Sequence, residues 1–127
     1  MKTFTSVDEV KIYVGENAKD NDRLTESSHP REWWMHVSAY PGSHVVIAHE
    51  HDVVPRETRR DAAVLAVYHS KAPPSKMTHV DFCRVSDVHK GRASGQVYLE
   101  NEKTQLTVFM NKEGGRIKRL LGTSRRS

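Results

Sequence analysis

Apolar residues in this chain fall into short alternating runs, interrupted by two stretches of helical periodicity. Lys11-Ile12-Tyr13-Val14 alternates polar and apolar side chains with a β-branched bias and stops at Gly15, which predicts a strand; Thr3-Phe4-Thr5 before it also favours extended backbone. Trp33 to Val37 predicts another strand, closed by the turn signal Tyr40-Pro41-Gly42. Ser43 to His49 follows as a further strand. Its run Val45-Val46-Ile47-Ala48 is apolar on both faces, as in a sheet covered on both sides. Met77 to Val85 alternates, with His79, Asp81 and Cys83 on one face and Val80 and Phe82 on the other. Val97-Tyr98-Leu99 and Leu106-Thr107-Val108-Phe109 predict two strands joined by Glu100 to Thr104 as a hairpin-like pair.

Two helices interrupt this pattern. Asn17 can cap one running from about Ala18 to Thr25. The clearer one spans Pro55 to Ser70: Pro55 and Glu57 suit a first turn, and Ala62, Leu65 and Ala66 recur at helical spacing. Its small residues Ala62, Ala63 and Ala66 permit close approach to a sheet, and Arg56, Arg59 and Arg60 lie on its exposed side. Lys71-Ala72-Pro73-Pro74-Ser75 ends it. After Gly114-Gly115, Ile117, Leu120 and Leu121 can pack a final helical turn. The fold class expected is α+β: one domain with a mixed β-sheet and two or three packed helices.

A length of 127 residues suits one such core. The single cysteine, Cys83, cannot form an internal disulfide, which fits a reducing compartment. The first ten residues carry Asp8 and Glu9 and no apolar run, unlike a secretory signal, and no segment has the length to span a bilayer. A soluble, cytoplasmic protein with no membrane partner is expected. The net charge is +4, yet Arg116, Lys118, Arg119, Arg125 and Arg126 fall in residues 116–127, which hold no acid, so residues 1–115 carry a net −1. Residues 116–127 therefore read as a basic C-terminal tail, either a phosphate-binding arm or a solubilising terminus.

Two strings are more specific than this pattern. VGENAKDNDRLT, Val14 to Thr25, fits G-x-N-A-x-x-N-D-x-L-T; WMHVSAYPGSHVVI, Trp34 to Ile47, fits W-x-H-V followed by P-G-S-H-V-V-I. Ala66, Tyr68, Ser70, Lys71 and Ala72 fit a helix ending in A-x-Y-x-S-K-A, and Val88 to Val97 fits V-x-K-x-x-x-x-G-x-V. In this order and spacing, over roughly residues 10–110, the chain resembles the NFACT-R (RNA-binding) domain and reads as a stand-alone member, with residues 1–115 as the domain. The resemblance implies RNA of tRNA or ribosomal type as ligand, ribosome-associated proteins as further partners, and a role in translation or nascent-chain quality control. The family also includes members with DNA-binding roles.

Physical chemistry suggests which residues meet such a ligand. A helix N-terminus after Gly15 offers backbone donors to a phosphate, and Asn17 either donates to phosphate or caps the helix. Lys19 and Arg23, four apart, share a helix face and can track a nucleic-acid backbone; Asn21 joins them or, with Asp22, braces neighbouring loops. His36 shares a strand face with Trp34, and Ser43 and His44 leave the Pro41-Gly42 turn. Their side chains either donate to phosphate or satisfy turn backbone, while Trp33 or Trp34 fills the core. Lys71, Lys76, Arg84, Lys90 and Arg92 concentrate positive charge, and Gly91 and Gly95 let a loop approach a ligand. The candidate nucleic-acid-binding residues are Asn17, Lys19, Asn21, Arg23, His36, Ser43, His44, Lys71, Lys76, Lys90 and Arg92.

Other chemistries find weaker support. His49 and His51 share a face of an extended chain and could share a metal, but no third ligand stands at a fitting distance, so no metal or cofactor is expected. The histidines near Ser43 raise hydrolysis, yet no nucleophile elbow, paired carboxylates or P-loop accompanies them, and no catalysis is expected. DNA binding remains an alternative to RNA. So does a protein-interaction domain using a strand edge near Val97 or Val108.

Overall fold

In the computed structural model, which describes residues 1–126, β1 (Lys2–Thr5) and β2 (Lys11–Val14) form a first hairpin. Then come α1 (Ala18–Ser27), β3 (Trp33–Val37), β4 (Val45–Ile47), α2 (Arg56–Tyr68) and β5 (Met77–Arg84). The chain continues through β6 (Val88–Lys90), β7 (Val97–Leu99), β8 (Thr104–Phe109), α3 (Gly114–Leu121) and β9 (Arg125–Arg126). Seven strands build one sheet in the order β8-β5-β3-β4-β2-β1-β9, and β6 and β7 form a separate ribbon.

The α+β class stands, but every described strand pair is antiparallel rather than mixed. The α2 crossover carries the chain from β4 to β5, which run in the same direction. β3 lies between them, antiparallel to both, so no parallel ladder forms. The hairpin expected between residues 97–99 and 106–109 does not form either. β7 folds back on β6, whereas β8 pairs with β5, because Val108 and Leu106 pack on one side of the sheet and Val97 and Leu99 on the other.

Both sheet faces are covered. On one, Ile12, Val14, Met35, Val45, Ile47, Val80 and Phe82 pack against α2 and α3, with Ala62 and Ala66 fully buried so that α2 lies close. On the other, Trp34, Val46 and Cys83 pack with Leu24 of α1 and with Val88, Val97 and Leu99 of the ribbon. This double cover explains the two-sided apolar run of β4. Burial pushes the Cys83 thiol up to about 12, with Asp87 and Asp81 adding to the effect, so it stays protonated and unreactive.

Residues 116–126 do not project as a free basic arm. Ile117 and Leu120 of α3 are buried, and Asp61 of α2, fully buried, accepts from Arg116 at 2.7 Å and from Arg119 at 2.7 and 3.1 Å. Burial works against the Arg116 charge, but hydrogen bonds to Asp61 and Glu57 outweigh it and raise its pKa. A buried carboxylate is tolerated only when paired, so these two cations serve the fold. Arg125 and Arg126 extend the sheet beside β1, and Arg126 also bonds Glu16. The last residue of the expected tail, Ser127, lies outside the described residues.

Candidate nucleic-acid interface

The string around α1 works first as a lock between elements. Asn17 Oδ1 accepts the Asp20 N–H at 2.9 Å and caps the helix. Asp20 Oδ2 in turn accepts the Glu16 N–H at 2.9 Å, and the Met1 amine lies 2.9 Å from Glu16 and 3.0 Å from Asp20. The helix N-terminus thus faces the protein's own carboxylates, and Asn17 Oδ1 serves as its cap.

Asn21 is buried and its Oδ1 accepts the His44 N–H at 3.1 Å, while the Gly15 N–H donates to the His44 carbonyl at 3.1 Å. A Cβ at position 15 would stand 2.0 Å from Asn21 Oδ1, so glycine is required there. His44 is 1% exposed; its Nδ1 lies 3.0 Å from Thr25 Oγ1 and its ring meets Trp34 and His36 edge-on at 5.3 and 5.6 Å. Burial, then the neighbouring His36, draws its pKa down to about 4, so the ring is neutral near pH 7. The sequence placed His44 at the ligand; its enclosed side chain instead braces α1 against β4.

Around this lock opens a cleft of about 520 Å³. Asn17, Ala18 and Asn21 form one wall; Pro41, Gly42, Ser43 and His36 another; His69, Ser70 and Lys71 a third; Ser94 and Gly95 the last. His36 lies between two carbonyls, Val37 at 2.5 Å from Nδ1 and Gly42 at 3.2 Å from Nε2. Gly42 bridges Ser70, where a Cβ would lie 2.9 Å from the Ser70 Cβ, and the Ser43 N–H donates to His69 at 3.2 Å. Asn17, Asn21, His36, Ser43 and Lys71 therefore line one cleft. His69 and Ser70 were missed as site residues; their position beside Lys71 at the end of α2 was the available signal.

A second cleft of about 360 Å³ adjoins the first through Ser94, which lines both. Lys19, Arg23, Lys90 and Arg92 line it together with Asp22 and Glu26. Asp22 fixes the loop by accepting from Ser94 Oγ at 3.1 Å and from the Gly95 N–H at 3.0 Å; Gly95 has φ +79° and crowds Ala18. Lys90 Nζ stands 3.9 Å from Asp22 and 3.6 Å from Glu26.

Not every cation joins. Lys76 precedes β5 and lines neither cleft. Arg84 is committed elsewhere, stacked 3.8 Å over the Trp33 ring and 2.6 Å from Asp52. Arg56, Arg59 and Arg60 sit at the start of α2, roughly 15–20 Å along its axis from Ser70. His49 and His51 meet ring to ring at 5.1 Å, and no group of three His, Cys, Asp or Glu among the described residues is placed to hold a metal. No helix among the described residues is long and apolar enough to cross a membrane.

The family described as NFACT protein RNA binding domain matches residues 1–102, which hold both clefts. The chain belongs to this family. Among curated relatives, the Rqc2 homolog RqcH of Streptococcus suis is 41% identical over 96 residues, covering 73% of this chain and 17% of the relative. The Rqc2 homolog RqcH of Bacillus subtilis is 32% identical over 122 residues, covering 94% of this chain and 21% of the relative. The chain thus spans about a fifth of the length of these relatives. A solved structure, the C-terminal part of the fibronectin/fibrinogen-binding protein of S. suis, is similar at a TM-score of 0.82 and 32% identity, covering 94% of this chain and 48% of that one.

Proposed function

We propose that this NFACT RNA-binding domain binds RNA of tRNA or ribosomal type, mainly through phosphates, in ribosome-associated quality control. The observation that carries the reading is the gathering of Lys19, Arg23, Lys90 and Arg92 around one cleft that continues into the motif cleft. Lys19 and Arg23 project from one helix face, a spacing that suits consecutive phosphates. Asp22 and Glu26 partly offset the cations, but the Lys90–Glu26 pair is exposed, and such pairs contribute only about 0–1 kcal/mol and yield to a polyanion. The names of the RqcH relatives support the quality-control setting.

The test is a titration of labelled tRNA and of duplex DNA at two salt concentrations. Saturable tRNA binding that weakens steeply with salt is expected, because each neutralised phosphate releases counterion. Absence of saturable binding at low salt would overturn the reading, and a strong preference for the duplex would move it to DNA.

A second reading, capture of a protein strand, has its own support. β8 is an edge strand, and Met77 and Phe109 sit opposite each other, both exposed, at the β5–β8 end. One similar structure belongs to a fibronectin/fibrinogen-binding protein. Saturable fibronectin binding without RNA binding would favour it.

A further inference from the structure

The β6–β7 ribbon carries a feature that phosphate binding leaves unused. Val88, Val97 and Leu99 face the core, so strand alternation turns His89 and Tyr98 to the opposite side, where the register places them directly across from each other. Their rings stack at 5.1 Å with an interplanar angle of 21°. Tyr98 is 62% exposed, which is high for so large a side chain beside a packed ribbon. Glu100 Oε2 lies 3.5 Å from His89 Nε2, on the ring that backs the tyrosine. On the solvent side Tyr98 shares a cleft of about 450 Å³ with Lys90, Arg92 and Gln96.

We infer that Tyr98 is a stacking platform for an unpaired base, with Lys90 and Arg92 taking the phosphates beside that base. This rests on the RNA-binding reading and deepens it. The ring is already held by His89, so little side-chain freedom is lost on binding. Lys90 and Arg92 supply the charge, and Gln96 offers an amide to a base edge. Bases inside a duplex have both faces covered by neighbours, so the platform selects loops, bulges and single-stranded ends.

The experiment compares an unstructured oligouridylate with a blunt RNA duplex on the full chain and on Tyr98→Ala, Tyr98→Trp and the double variant Lys90→Ala/Arg92→Ala. Thermal melts check that each variant folds. Tyr98→Ala is expected to weaken oligouridylate binding roughly tenfold while leaving duplex affinity unchanged, and Tyr98→Trp to retain tight binding. A 2-aminopurine in the single strand should be quenched by the full chain and not by Tyr98→Ala. Unchanged oligouridylate affinity in Tyr98→Ala, or an equal loss on both RNAs, overturns the platform. If the cationic double variant then loses binding while Tyr98→Ala does not, the RNA-binding reading survives and only the platform falls. If the full chain binds neither RNA, the underlying reading fails.

Discussion

The lock formed by Gly15, Asn21 and His44 and the cation-lined cleft beside it share helix α1 but differ in every physical respect. In the lock, Asn21 and His44 are buried and neutral: Asn21 Oδ1 accepts the His44 N–H and the His44 ring meets the Thr25 hydroxyl, while the exposed Asn17 caps α1 by accepting the Asp20 N–H. In the cleft, Lys90 is 58% exposed and its acidic neighbours lie at 3.6 and 3.9 Å, loose enough to exchange partners. The residues that make this chain recognisable are therefore chiefly those that build the site, and the residues available to a ligand are the less distinctive cations mounted on it. A close sequence match can report a scaffold more directly than a contact surface.

The largest test of this contrast is Gly15→Ala. Its Cβ would displace Asn21 from His44, and a loss of about 3 kcal/mol is expected in urea unfolding. RNA affinity of the fraction that remains folded should change little. If Gly15→Ala abolished binding without loss of stability, the lock would itself be a contact surface.

Acidification probes the same region. The His44 ring takes its proton near 6.5 when unfolded but only at about 4 in the fold, so the stability it confers is whole above pH 6.5 and is lost as pH falls toward 4. His69, also lowered chiefly by burial, acts in the same direction. Unfolding free energy should drop by up to about 3 kcal/mol between pH 7 and pH 4 from His44 alone, and His44→Gln should start less stable and respond less to pH.

The cleft should respond in the opposite way. Lys90→Ala with Arg92→Ala is expected to weaken RNA binding roughly tenfold at low salt and to flatten the log–log salt slope by about 1.4 for two phosphates on a single strand. Stability should move by less than about 0.5 kcal/mol, since exposed ion pairs contribute little. Unchanged affinity would remove the loop from the interface. The smallest effect is expected from Asn17→Ala: about 1 kcal/mol from the lost cap, with RNA affinity intact once folding is allowed for. A drop in affinity beyond that would restore Asn17 as a phosphate ligand.

Much of the fold was legible along the chain. The alternation of Lys11–Val14 and Met77–Arg84 assigned their faces correctly, because period-2 burial is a local property. The match of residues 14–25 and 34–47 to family strings was legible for the same reason, being a matter of order and spacing. Pairing was harder. Residues 97–99 and 104–109 read as neighbours in a hairpin, yet they bury their apolar sides in different cores, and β8 finds its partner more than twenty positions away in sequence. Tyr98 read as one strand residue among three; only its pairing with His89 turned it into half of a stacked pair.

By itself, then, the sequence determined the helices, most strands, the α+β class and the family. These follow from periodicity, caps and turn residues that act over a few positions. Only the tertiary structure decided the fate of the charges. Arg116 and Arg119, which looked free in a basic tail, are drawn to the buried Asp61, whereas Lys19, Arg23, Lys90 and Arg92, distant along the chain, share one cleft. The reason is that a charge's role depends on its distance from other charges and from water, and both are set by long-range packing that no local pattern encodes.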